Sequence, residues 1–370
     1  MKYTIEPVFV IFPLICLLLY YTNIKARKWV HFLLVIFFIF IYAFSLNGSD
    51  IDSYRQHYVM VERGVSLSEN NQEAGYYYLM KLAISLGIDY MVFRTVFLSV
   101  LSLVLFHTIR KLTEDFPLSL FFISSMFVIY TISAYRQYIV IAYSILWLYQ
   151  YGCGKKKNAI IGTSVLLLFH ITAILPLGCM VYGLYHTKRR VKKSTDVFKR
   201  NYIIIIVAAF VFRFATAILL KTGFFIAIMK AILRGHASPD PTPLTFGLIS
   251  RLVFLFFITY MYRASKTEND MIRLLYWYYF VSISIYIAIP MELVMGRLMN
   301  NAHILCAVLI PMLKNDIREN GIFNNVRISV KSVNLIIMML GIVAFAILIN
   351  QLMNQNGYTP YLNILLGDTL

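Results

Sequence analysis

The sequence predicts an all-α, polytopic integral membrane protein, and three observations predict it. Apolar residues make up 60% of the 370, and the mean hydropathy of +0.71 lies well above that of a water-soluble domain. These residues fall into long Phe, Ile, Leu and Val runs that fill the chain almost end to end, enough for about 12 spans of roughly 20 residues each. The basic residues collect in short breaks between the runs: Lys25, Arg27 and Lys28; Arg110 and Lys111; 155–157; 188–200; 263–273; and 314–331. Together these stretches hold twenty-two of the 34 Lys and Arg, the positive-inside pattern. The net charge of +17 therefore reports topology, and a nucleic-acid partner is not expected.

With the basic stretches on the cytoplasmic side, the elements follow in order. Residues 5–21 form a first span that enters from outside and is retained, because no Ala-x-Ala cleavage pattern is present and the basic cluster follows the run. Residues 30–46 return. Residues 47–90 are an external loop, charged at first and then amphipathic over 76–86, a stretch suited to lying in the interface. Residues 91–109 go in. The basic clusters at 110–111 and 155–157 must bracket an even number of crossings, so 117–132 and 136–151 form a hairpin with Arg136 at its external tip. Residues 157–188 are short for two crossings and predict two abbreviated helices with His170 near their outer turn. Residues 202–220 lead out to a second external loop, 221–247, whose Ser-Pro-Asp-Pro-Thr-Pro run breaks any helix. Spans at 248–262, 274–290, 297–313 and 333–352 complete a single polytopic domain over 1–370, with both termini outside. No internal repeat is visible. The cysteines Cys16, Cys153, Cys179 and Cys306 are scattered, without metal-site spacing, and read as small apolar residues.

Charge in or beside hydrocarbon is costly and marks function or pairing. Six ionisable residues outside the cytoplasmic clusters, Asp50, Asp52, Glu73, Arg136, His170 and Arg297, fall at or near the external boundary, where they could converge. A site there faces a compartment without nucleotides, so group transfer would draw on an activated lipid. No P-loop, dinucleotide fingerprint, zinc-protease or EF-hand pattern appears, and no carboxylate cage for a divalent ion is evident. The expectation is no metal and no cofactor.

Several short motifs occur in a telling order: Asn-Gly-Ser-Asp at 47–50 with Tyr54 beyond it, Glu-Ala-Gly-Tyr at 73–76, Tyr-Arg-Gln-Tyr at 135–138, Phe-His-Ile-Thr-Ala at 169–173, Gly-Arg at 296–297 and Thr-Pro-Tyr at 359–361. In this order they resemble EpsG-type proteins, Wzy-like polymerases of bacterial surface polysaccharides. The resemblance implies a GT-C-like membrane glycosyltransferase that moves a growing glycan from one undecaprenyl diphosphate to the next lipid-linked repeat unit. It implies a site on the outer face of the bacterial inner membrane. The partners it implies are donor and acceptor lipids, the bilayer and a chain-length regulator.

Such chemistry needs donors for the departing diphosphate and a group that orients or deprotonates an acceptor hydroxyl. Arg136 and Arg297 suit the first task, with Arg55 as a further phosphate contact. Asp50, or else Glu73 or His170, suits the second. Tyr54, Gln137, Tyr76 and His303 are candidates for sugar contact or support. Each also has an ordinary reading. Arg136 can snorkel to headgroups, Arg297 can pair with Glu292, His170 can be a hydrogen-bonded core residue, Asp50 and Glu73 can be helix caps, and the tyrosines can belong to an interfacial belt. A flippase or exporter of lipid-linked sugars and an O-antigen ligase remain as alternative functions.

Overall fold

The computed structural model describes residues 7–22, 28–43, 51–70, 72–126, 134–188, 197–219, 246–265, 269–289, 292–320, 322–323, 326–327 and 329–354. The helices in chain order are α1 (Pro7–Tyr20), α2 (Lys28–Ala43), α3 (Ile51–Glu62), α4 (Leu67–Asn70), α5 (Ala74–Ser85), α6 (Tyr90–Leu112), α7 (Phe116–Met126), α8 (Tyr135–Gly152) and α9 (Lys156–Val165). Two 3-10 turns, Leu166–Leu168 and Ile171–Ala173, precede α10 (Ile174–Lys188). Then come α11 (Val197–Leu219), α12 (Phe246–Ser265), α13 (Asp270–Ala288), α14 (Glu292–Asn320) and α15 (Val330–Asn354), with a two-stranded hairpin of Ile322–Phe323 and Val326–Arg327 between the last two.

Among the described residues, four helical segments, Tyr90–Leu112, Gly247–Ser265, Asp270–Ala288 and Lys331–Leu352, are long and apolar enough to cross a membrane. They match the expected spans at 91–109, 248–262, 274–290 and 333–352. Shorter apolar helices at Val8–Tyr20, Lys28–Ala43, Phe116–Met126, Ile171–Leu184 and Tyr202–Ile218 coincide with other expected spans. Local chemistry sets the ends of α6. The Asp89 carboxylate accepts from the amides of Met91 and Val92 at 2.7 and 3.1 Å, while Arg110 and Lys111 occupy the last turn. Both ends thus complement the helix dipole, and the basic end is the one the charge pattern puts in the cytoplasm.

The chain divides into two compact units, residues 1–177 with 344–370, and residues 178–343. In the first, α1 packs on α7, α2 and α8 pack on α6, and α9 packs on α8. Its aromatic core joins Phe12 to Phe38 and Tyr42 and Phe38 to Phe106. In the second, α13 packs against α11, α12 and α14, and Tyr262 stacks on Tyr276 with ring centroids 3.8 Å apart.

The segment 47–90, expected between two spans, carries helices within its described residues. Its described part folds into α3, α4 and α5, because Ile51, Tyr54, Tyr58 and Val61 form a helical stripe that buries against α5. The amphipathic stretch near 76–86 is α5, with Tyr76, Tyr77, Met80 and Ala83 buried. The two abbreviated helices are α9 and α10, joined through the 3-10 turns around His170.

Candidate functional site

The site is built in the first unit from three motif segments. Arg136 is the second residue of α8, and Glu73 immediately precedes α5. Although Glu73 holds the cap position of α5, its carboxylate makes no cap bond. It instead accepts from Nη1 of Arg136 in an ion pair. Arg136 Nε donates to the Tyr54 hydroxyl at 3.4 Å, and its guanidinium carbon lies 5.7 Å from the centroid of the Tyr54 ring, a cation–π contact. The side chains of Arg136 and Glu73 are 21% and 26% exposed, so the pair is reachable from the protein surface while most of its own surface is covered. Arg136 has no further protein partner among the described residues, which leaves Nη2 for a ligand.

Tyrosines form the floor. Tyr54 stacks on Tyr135 at 4.4 Å and meets Tyr76 edge-on at 5.6 Å. Tyr76 is fully buried, its hydroxyl has no hydrogen-bond partner, and burial pushes its phenol far above the usual range. It is therefore a neutral donor beside the Arg136 charge.

Arg94 supports this floor from α6. It is completely buried; Nε donates to the Tyr135 hydroxyl, and Nη1 donates to the carbonyl of Ala43 at 2.9 Å. One turn earlier, the Tyr90 hydroxyl donates to the carbonyl of Ile51 at 3.2 Å. Ala43 and Ile51 are thus each fastened to α6 through their carbonyls.

The Phe-His-Ile-Thr-Ala motif closes another side. Gly75 in α5 approaches the turn 168–169 so closely that a Cβ would stand 2.9 Å from the Leu168 carbonyl oxygen and from the Phe169 ring. His170 caps the following 3-10 turn, with Nδ1 accepting from the Thr172 amide at 3.3 Å. With Nδ1 accepting, the proton of a neutral ring sits on Nε2. His170 is hydrogen-bonded within its own turn and half-buried.

His57, which sequence reasoning passed over, lies one helical turn beyond Tyr54. Its Nδ1 is 2.7 Å from Oδ1 of Asn70, and Asn70 Nδ2 donates to the His57 carbonyl at 3.2 Å. Burial lowers the imidazole pKa below its ordinary value, Asn70 opposes this, and the charge of Arg136 lowers it further.

Other sequence candidates lie elsewhere. Arg55 and Asp52 are on the exposed face of α3. Arg55 makes no hydrogen bond or ion pair among the described residues, because its position next to Tyr54 turns it away from Arg136. Gln137 is buried at 2% exposure behind Arg136. His303 is buried in the second unit. Arg297 belongs to α14, and its side chain is outside the described residues, as are Asp50 and Thr359 to Tyr361.

A predominantly helical membrane protein with a half-buried Arg–Glu pair on a tyrosine floor, assembled from the motif segments around 54, 73, 136 and 169, is the class that fold and site define. The model of the EpsG family matches residues 28–363, nearly the whole chain. The chain belongs to the EpsG family. No curated protein matches it, nor does any solved structure.

Proposed function

We propose that this protein is a membrane glycosyltransferase that polymerises undecaprenyl-diphosphate-linked oligosaccharide repeat units of a bacterial surface polysaccharide, working on the outer face of the plasma membrane. The observation that carries the reading is the Arg136–Glu73 pair held by Tyr54, in a chain of the EpsG family.

In the reaction, an acceptor sugar hydroxyl attacks the anomeric carbon of the donor glycan. The bond from that carbon to the diphosphate oxygen breaks, its electron pair leaves with undecaprenyl diphosphate, and the hydroxyl proton passes to a base. Direct attack inverts the anomeric configuration. The leaving group is already good, so the protein's work is placement and charge stabilisation. Arg136 uses its remaining N–H groups on diphosphate oxygens, where the planar guanidinium fits bidentately. Glu73 keeps one oxygen on Arg136 and presents the other to the acceptor, and Asp50 is the second candidate base. Arg55 on its exposed face suits a peripheral headgroup contact.

The test is polymer formation by the purified full chain in nanodiscs from undecaprenyl-diphosphate repeat units. Wild type should yield a ladder of products, and Arg136→Lys should be slower by roughly a hundredfold, the loss of about 3 kcal/mol of transition-state stabilisation. Failure of wild type to extend the lipid-linked unit would sink the reading. In cells, loss of the gene should leave single repeat units on the surface lipid, whereas loss of a flippase would leave none.

A further inference from the structure

In the second unit, the C-terminal turn of α13 is gripped from two neighbouring helices. From α11, Arg213 Nη1 donates to the carbonyl of Ile287 at 3.2 Å, and the Thr216 hydroxyl donates to the carbonyl of Ala288 at 3.2 Å. A cation at a helix C-terminus satisfies orphan carbonyls and the dipole, so Arg213 has a structural task.

Arg251 of α12 is placed differently. It sits inside the candidate membrane span Gly247–Ser265. Its Nη1 donates to the Tyr286 hydroxyl at 2.6 Å, and its guanidinium carbon is 4.4 Å from the centroid of the same ring. Its Nε is buried and has no hydrogen-bond partner among the described residues. Tyr286 is neutral, and no carboxylate among the described residues is bonded to Arg251. A guanidinium has five donors and a permanent charge, and such a charge in an apolar bundle is costly without an anion. The helix α14, packed on both α12 and α13, buries a second polar group of this kind, Asn301, whose amide oxygen and nitrogen both lack partners among the described residues.

We propose that Arg251, held in place by Tyr286, forms an anion site in the second unit that takes a phosphate group. The planar fork left over by Tyr286 suits phosphate oxygens, and the position inside a span suits a group delivered by a lipid. A lipid diphosphate and free pyrophosphate share this chemistry. The site is built from residues of the second unit alone and does not depend on the reaction proposed above.

The experiment uses the purified full chain in phosphatidylcholine nanodiscs, with undecaprenyl diphosphate and inorganic pyrophosphate as probes. Binding is measured in an Arg136→Ala background to remove the first unit's contribution. Binding should persist there, and Arg251→Gln should weaken it by about tenfold or more, the worth of a charged hydrogen bond. Arg251→Lys should fall between, and Tyr286→Phe, which frees the guanidinium from its hydroxyl, should also weaken it if Arg251→Gln fails to fold. Response to undecaprenyl diphosphate alone identifies a lipid source, and response to both probes identifies the phosphate group as sufficient. No binding in the Arg136→Ala background, or unchanged affinity in stably folded Arg251→Gln and Tyr286→Phe, would overturn the site. Polymer formation in the same preparations separates the two proposals. Arg251-dependent binding without polymer removes the reaction and leaves the site, whereas polymer with indifferent Arg251 variants removes only the site.

Discussion

Gly75 and Phe169 meet where two site-bearing segments cross, with a built Cβ at 75 only 2.9 Å from the Phe169 ring and from the Leu168 carbonyl oxygen. The ring can yield, but the backbone oxygen cannot without moving the turn. Gly75→Ala should therefore displace α5, and with it Glu73 and Tyr76, at a cost of about 1–3 kcal/mol. Gly178→Ala, whose Cβ meets nothing within 4 Å, should leave stability and activity unchanged. Thermal unfolding and polymer formation measured on both variants check this, and identical behaviour would show that the close approach carries no weight.

The spans were legible where composition speaks: apolar runs broken by Lys and Arg located the helices around 91–109, 248–262, 274–290 and 333–352 to within a few residues. The motif order picked out Tyr54, Glu73, Arg136 and the turn at 169, which the fold brings together. The pairing itself was not readable, because Glu73 and Arg136 are 63 residues apart, and no local pattern says that a cap-position carboxylate turns away from its own helix. Arg94 was missed for a related reason. It stands near the start of an apolar run, where an arginine reads as a headgroup anchor, and its partners lie 41 and 51 residues away. The rule that an arginine in a membrane run faces a polar partner would have found Arg94, Arg213 and Arg251. His57 carries no such signal; it becomes visible only once α3 and α4 fold beside Arg136.

Arg94 gives a stability test. Its full burial means that Arg94→Ala leaves a cavity and strands the Ala43 carbonyl and the Tyr135 hydroxyl, so unfolding should become easier by about 3 kcal/mol or more. Arg94→Lys preserves the charge but cannot reach both acceptors, and it should be intermediate. Denaturation in detergent would decide, and a wild-type midpoint for Arg94→Ala would show that the buried contacts contribute nothing.

The native cysteines make the topology testable with little engineering. Cys153 is exposed, and Cys16, Cys179 and Cys306 are buried. Charge parity puts Cys153 beside the cytoplasmic cluster 155–157 and Ser68 outside. A membrane-impermeant maleimide should therefore spare wild type in intact cells, react with it after permeabilisation, and label Ser68→Cys in intact cells. Labelling of Cys153 from outside would invert the orientation and put the Arg136–Glu73 pair in the cytoplasm.

His57 predicts a pH response of definite sign. Its folded pKa lies below the ordinary value because burial and Arg136 disfavour the cation, against the opposing bond to Asn70. The folded state therefore prefers neutral imidazole. This contribution is fully present above the unfolded pKa of about 6.5 and is lost as pH falls through it towards the depressed folded value. The melting temperature of wild type should drop on acidification from about pH 7.5 to about pH 5.5, and that of His57→Gln should drop less. A larger drop in the variant would mean that the neutral ring is not the form the fold selects.

Glu73 holds the proposed mechanism to its most specific claim, because one carboxylate both orients Arg136 and receives a proton. Glu73→Gln keeps an acceptor for Arg136 Nη1 but loses the base, so lipid binding should be near wild type while turnover falls by about a hundredfold to ten-thousandfold. Glu73→Ala loses both tasks, releasing Arg136 from its held position, and should weaken binding as well. Splitting the two effects requires lipid affinity and single-turnover rate from the same preparation. If Glu73→Gln turns over normally, Glu73 is only the anchor of Arg136, and Asp50→Asn then becomes the variant that should abolish polymerisation without loss of insertion.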